Sequence, residues 1–228
     1  TKLLPITLYF RNDEPDASTL RTTTKQNYMN TYKLYVDRYD YYKKEVAKGL
    51  KESESIQLIN ELDVFFKEQV DRGAADLEAF KTMVLDELKT GSTVSLFIRG
   101  FASPVANTAY NVNLTKRRIS SLMNYFKEVD DGVFKEYINA NSDNNGQLIF
   151  SSAPFGEYAA DQSTSDDVVI QNESVFSKSA GIERKIEIES MTIKRNRLSF
   201  PLETEKHVAN ILNGKTGDVL SAEFSIKN

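Results

Sequence analysis

The sequence predicts an α+β fold with helices on one face of a mixed sheet, and three observations carry that prediction. Four segments rich in β-branched and aromatic residues read as strands: LLPITLYF, STVSLFIRGF, QLIFSSA and ERKIEIESMTIKR. From Thr22 to Lys89 glycine and proline nearly vanish and apolar residues recur at helical spacing. A further helical pattern lies between the second and third strands, in NVNLTKRRISSLMNYF.

Taken in order, Leu3 to Phe10 forms the first strand, and Pro5 confines it to an edge or a strand start. The cluster RNDEPD ends it in a turn. In the helical stretch Tyr28, Tyr32, Tyr35 and Tyr39 step at four, three and four, and Leu58, Leu62, Phe65 and Phe66 repeat the pattern. Asp71-Arg72-Gly73 is expected to break that second helix, with Leu77, Phe80, Met83, Val84 and Leu88 marking a third. In the second strand Val94, Leu96 and Ile98 alternate with polar residues. The motif-bearing helix follows, then a short helical piece VFKEYINA, the turn NSDNNG and the third strand. Residues 156–178 read as a polar surface loop, and the fourth strand puts Ile186, Ile188 and Met191 on one side. HVANIL and VLSAEFSIK around NGKTGD suggest a C-terminal hairpin. The resulting expectation is a βαβαββ sandwich over residues 1–195, with 16–90 as a helical insertion after the first strand and 196–228 as a C-terminal β extension.

Composition narrows the function classes. At 228 residues and 40% hydrophobic content the chain can bury a core of its own. A formal charge of −4 and a pI near 5.3 argue against general nucleic-acid binding, which needs a basic field. With no cysteine there is no thiolate nucleophile, zinc-thiolate site or disulfide, which suits a reducing cytosol and a periplasm equally. No apolar run reaches the length of a membrane span, and the start at Thr1 suggests a processed chain or part of a longer one.

On the central helix, Val112, Ile119, Leu122, Met123 and Phe126 form the predicted buried stripe. Asn111 and Arg118 fall within about 20° of each other on its shoulder and about 10 Å apart along the axis. They can therefore face one groove. Arginine offers a planar fork to a carboxylate, and asparagine a donor and an acceptor to an amide, so the pair suits a peptide. The plainer account makes Arg118 a solvated flank or glutamate partner and Asn111 a helix-start residue.

Gly100-Phe101-Ala102-Ser103 through Asn111-Val112-Asn113-Leu114-Thr115-Lys116-Arg117-Arg118 resembles the signature of the OmpA-like C-terminal domain family, which runs G-H-T-D, a short loop and N-x-x-L-S-x-x-R. ITLYF with its Asx-rich turn resembles the family's first strand, and Glu183-Arg184-Lys185-Ile186-Glu187-Ile188 its closing N-R-R-V-E-I strand. The resemblance implies a non-catalytic peptidoglycan-binding module in a Gram-negative periplasm, associated with the outer membrane or cell wall and using no cofactor or metal. In that family the arginine holds a carboxylate of the diaminopimelate residue of the stem peptide, the loop aspartate its ammonium, and the asparagine the peptide. Carried over, Arg118 takes the carboxylate, Asn111 the peptide and Arg184 a supporting role. The chain departs from the pattern where Ser103 replaces the loop aspartate, Phe101 the histidine, Ala106 the loop glycine and Arg11 the acidic residue after the first strand. A hydroxyl in place of a charge-assisted bond forfeits about 1 kcal/mol, roughly five-fold in affinity. Asp13 stands close enough in sequence either to supply the missing carboxylate or to serve only as a turn former.

A rival expectation comes from the same departures: an envelope-complex scaffold with a degenerate pocket, meeting protein partners through the helical insertion, with Tyr41-Tyr42 and Phe65-Phe66 as anchors. NSDNNG matches the first half of a calcium loop, yet its twelfth position is Ser152, so it reads as a turn. The sequon Asn113-Leu114-Thr115 sits inside a helix, and the only histidine, His207, lies in the tail without a nucleophile pattern around it.

Overall fold

The computed structural model describes residues 3–102, 108–156 and 175–195. Within them a mixed four-stranded sheet packs against six helices, one of which is 38 residues long. The strands are β1 (Ile6–Tyr9), β2 (Thr93–Phe101), β3 (Gln147–Gly156) and β4 (Lys185–Lys194), in the order β1-β4-β2-β3. β4 runs antiparallel to both β1 and β2, while β2 and β3 are parallel. The helices are α1 (Tyr28–Val36), α2 (Tyr39–Ala47), α3 (residues 52–89), α4 (Thr108–Glu128), α5 (Lys135–Ile138) and α6 (Lys178–Glu183). The short helix α6 between β3 and β4 carries no signal in the sequence reading.

The alternation in β2 performs as expected: Val94, Leu96 and Ile98 are buried together with Ile6, Leu8, Leu148, Ile186 and Ile188 from the other strands. Met191 is only partly buried. Opposite these strands lie Leu77, Phe80, Val84 and Leu88 of α3 and Ile119, Leu122 and Phe126 of α4, each contributing roughly 1.5–3 kcal/mol by leaving water. The C-terminal half of α3 is thus part of the central core. A second cluster joins Tyr9, Tyr35, Tyr42, Leu62, Phe65, Phe66 and Val70 under α1 and α2.

The expected break at Asp71-Arg72-Gly73 does not occur. The helix continues from Glu52 to Lys89 through a π-helical segment, Phe66–Asp71. Gly73 serves a close approach instead of a helix end, because a Cβ there would collide with the carbonyl oxygen of Thr7 on β1. Since β4 occupies one side of β1, the helix thereby covers the strand's other edge. The tyrosine run also divides: α1, capped by the Asn27 side chain accepting from Asn30 N at 3.0 Å, ends at Val36 with Asp37 as its C-cap, and α2 begins at Tyr39. In the NSDNNG turn, the Asn144 amide donates to Leu88 O and Lys89 O at 3.0 and 2.9 Å, closing the C-terminus of α3. The C-terminal extension 196–228, with His207, lies outside the described residues, as do Ser103 and Ala106.

Candidate functional site

The strand-ending glycine of the motif has a packing reason. A Cβ on Gly100 would run into Thr115 Cγ2 and approach Ile119 Cδ1 to 3.2 Å, so only glycine lets α4 lie this close over the end of β2. That approach brings Arg118 to the strand end, where its Nη1 donates to Phe101 O at 3.0 Å. Its Nε donates to Glu14 O at 3.1 Å, and its guanidinium sits 5.3 Å from the centre of the Phe10 ring.

Arg118 lies deeper than its helical-wheel position suggests, with 0% exposure. The segment after β1 causes this by draping along α4. Asn113 donates to Leu20 O, Thr24 N to Ser120 Oγ, and Asn124 to Thr24 O and Gln26 O. The shoulder therefore becomes interior, and Asn111, at 2% exposure, is buried on the same helix. Of the predicted stripe, Ile119, Leu122 and Phe126 are fully buried, while Val112 and Met123 are only partly so.

The neighbouring arginine, Arg117, has a different job. Its Nε donates to Pro15 O at 3.0 Å and its Nη1 to Thr19 O and Arg21 O at 2.7 and 2.8 Å, which ties the draped segment down. Asp13 belongs to this arrangement. Its carboxylate accepts from Ser18 N at 2.9 Å and from the Tyr110 hydroxyl, and its nearest cation is Arg117 at 3.9 Å. With φ at 57°, Asp13 also holds a left-handed turn position. It is a turn former, and its two oxygens are engaged by Ser18 of the loop and Tyr110 of α4.

Arg184 caps α6 and leads into β4, with 1% exposure. Its backbone oxygen accepts from Phe10 N at 2.9 Å, and its Nη2 donates to Val175 O at 2.8 Å. Phe10 thus meets both arginines, its ring under the Arg118 guanidinium and its backbone N–H on Arg184 O. Their donors are incompletely used: Arg118 Nη2, Arg184 Nε and Arg184 Nη1 are buried without a hydrogen-bond partner. Among the described residues no carboxylate pairs with either guanidinium. Burial, then Arg184 and then Arg117, push the Arg118 guanidinium down to about 9. Asp13 offsets part of this, so the described residues leave two buried cations with spare N–H groups and one carboxylate acting on Arg118 from a distance.

Sequence reasoning missed a third polar group. Tyr35 of α1 is buried at 0% exposure, and its hydroxyl also has no hydrogen-bond partner. Burial raises its pKa while Arg184 and Arg118 pull it back, so the hydroxyl feels both cations. Helical spacing had marked it as packing, which its ring does against Tyr42 and Phe66 at 5.5 and 4.8 Å. The usable signal is chemical: a tyrosine in a buried stripe still carries a hydroxyl that needs a partner. Beside this cluster opens a cavity of about 240 Å³ lined by Asn12, Arg38, Tyr41, Tyr42, Val175 and Phe176. Tyr42 and Val175 stand between the two, one packed on Tyr35 and the other capping Arg184.

Among the described residues no group of three or more histidine, cysteine, aspartate or glutamate side chains could hold a metal ion. None of the described helices is long and apolar enough to cross a membrane. Comparison with family models, curated proteins and solved structures gives no match for this chain.

Proposed function

We propose that this chain is a non-catalytic module that binds the stem peptide of peptidoglycan and ties a periplasmic or outer-membrane assembly to the cell wall. One observation carries the reading: Arg118, which the motif resemblance assigns to a carboxylate, and Arg184, to which it gives a supporting role, are both buried with unused N–H groups and, among the described residues, no salt-bridged carboxylate. A carboxylate between two guanidinium groups accepts several charge-assisted bonds and relieves their mutual repulsion. Asn111 stands on the same helix to support the peptide, and Ser103 takes the place of the family's ammonium-binding aspartate. Asp13 is withdrawn from the ligand set, since the Tyr110 hydroxyl and Ser18 N occupy its oxygens.

The test is calorimetric titration of a diaminopimelate-containing muropeptide into the whole chain. Binding is expected in the micromolar to millimolar range, weakened at least ten-fold in Arg118→Gln, which keeps much of the side-chain volume without the charge. Ser103→Asp is expected to tighten it about five-fold. Equal affinity of the parent chain and Arg118→Gln sinks the assignment.

The scaffold reading has an observation of its own. Arg118 also joins two carbonyls, Glu14 O and Phe101 O, from separate segments, as a structural arginine would. On the opposite reach of α3, Ile56 and Val64 are 53% and 54% exposed and line a groove with Lys178. Under this reading Arg118→Gln lowers stability while leaving no muropeptide affinity to lose.

A further inference from the structure

We propose that Tyr35, on the helical stretch after β1, is a binding residue of the carboxylate site, its hydroxyl donating to the same anion that Arg118 and Arg184 hold. The inference rests on the carboxylate part of the reading above and is indifferent to whether the acid belongs to a stem peptide.

The geometry runs through contacts on three elements. Phe10 lies under the Arg118 guanidinium at 5.3 Å and donates its backbone N–H to Arg184 O at 2.9 Å, so the Arg118 side chain and the Arg184 backbone meet at the residue that follows β1. Arg184 N in turn donates to Gly181 O at 3.2 Å. At Gly181 a Cβ would stand 2.9 Å from the Phe65 ring and 3.6 Å from the Tyr35 hydroxyl, which places that hydroxyl against the α6 turn delivering Arg184. All three side chains have 0–1% exposure, and each retains at least one polar atom without a partner.

Buried polar groups are ordinarily paired, and isolated exceptions occur. Unsatisfied atoms on three side chains from three separate elements, each close enough to influence another's ionisation, indicate a common missing acceptor. The donors available are guanidinium N–H groups and a phenol, and the local charge is positive, so the acceptor is a small anion. A carboxylate fits because its two oxygens can take a guanidinium on one side and the hydroxyl with the second guanidinium on the other. The helical stretch is then a wall of the ligand site. The adjoining cavity, with the exposed Arg38 guanidinium and the Tyr41 and Phe176 rings, offers room for the body of an acid whose carboxylate reaches inward past Tyr42 and Val175.

Acetate is small enough to probe the cluster alone. It would be titrated into the isotopically labelled chain at constant ionic strength, following the guanidinium N–H resonances of Arg118 and Arg184 by NMR. Saturable shifts are expected, with affinity about ten-fold weaker in Tyr35→Phe. The melting temperature of ligand-free Tyr35→Phe should equal or exceed that of the parent, because the deleted hydroxyl had no partner to lose. Three results overturn the inference: no saturable shift in the parent chain, unchanged acetate affinity in Tyr35→Phe, or a lower melting temperature for that variant. The stem-peptide reading is judged separately. Muropeptide binding that needs Arg118 but not Tyr35 leaves that reading standing and removes this one. Acetate binding that needs Tyr35 in a chain indifferent to muropeptide does the reverse.

Discussion

At the scale of single residues, two adjacent arginines of one helix differ in how fully their donors are used. Arg117 places donors on three carbonyls of the draped segment, whereas Arg118 and Arg184 keep N–H groups in reserve. Arg117→Ala strands three acceptors and frees the segment, so a loss of about 3 kcal/mol is expected in urea unfolding. Acetate affinity of the molecules that remain folded should change less than two-fold. A variant as stable as the parent would show that the draped segment is held by other means. The sequence made Arg118 legible through the spacing from Asn111 and the resemblance of the whole block. It could not separate the roles of Arg117 and Arg118, because neither spacing nor residue type encodes which carbonyls a distant loop will present. The nearness of Tyr35 to Arg118 and Arg184 was illegible for the same reason, Tyr35 being more than eighty positions from Arg118 in the chain.

At the scale of elements, the long helix α3 connects the outer helical layer to the central sheet. Its exposed beginning shows little burial before Leu62, its middle takes a π-helical turn, and its end supplies Leu77, Phe80, Val84 and Leu88 to the core. The π segment shifts the helical phase, and Phe65, Phe66 and Val70 are buried in the second cluster while Ala74 and Leu77 enter the first. Gly73 follows directly and meets the β1 backbone. Gly73→Ala, stabilising in an ordinary helix, is therefore expected to cost about 3 kcal/mol here, since the obstruction is backbone and cannot rotate away. Equilibrium unfolding measures it, and a neutral result would mean that α3 can stand off β1 without penalty. The periodicity of 52–65 and 77–88 was readable, but the joint between them was not. A glycine reads as a breaker locally, and only the passing strand reveals that its missing side chain is occupied by a neighbour.

At the scale of the whole molecule, buried tyrosines set the alkaline limit of stability. Burial first, and Glu187 next, push Tyr9 up to about 12, and burial with the Asp71 hydrogen bond does the same to Tyr32. Burial raises Tyr28, Tyr35 and Tyr125 as well. A raised folded-state value means that the unfolded chain ionises first. The stabilisation is whole below the ordinary tyrosine value of about 10 and disappears as pH climbs through about 12. Arg118 runs the other way, since its value is lowered by burial and its contribution grows above about 9. One group against five leaves a net loss. Tyrosinate absorbance and far-UV circular dichroism should therefore change together near pH 11. Ionisation of the buried rings without loss of helix would contradict their placement.

By itself, the sequence determined the α+β class, the period of each strand and major helix, the burial of alternate residues in β2, and the conjunction of Asn111 with Arg118 on one helical face. These features follow from local geometry, in which side-chain direction repeats every two or 3.6 residues whatever the rest of the chain does. Tertiary structure alone decided that the segment after β1 would cover α4, that Asp13 would be bonded by Ser18 N and the Tyr110 hydroxyl, that α3 would run unbroken past Gly73, and that Tyr35 would lie within the field of two arginines. Those outcomes depend on which distant backbone supplies a carbonyl or excludes a methyl group. Such long-range pairing is fixed only when the core closes, and no periodicity along the chain records it.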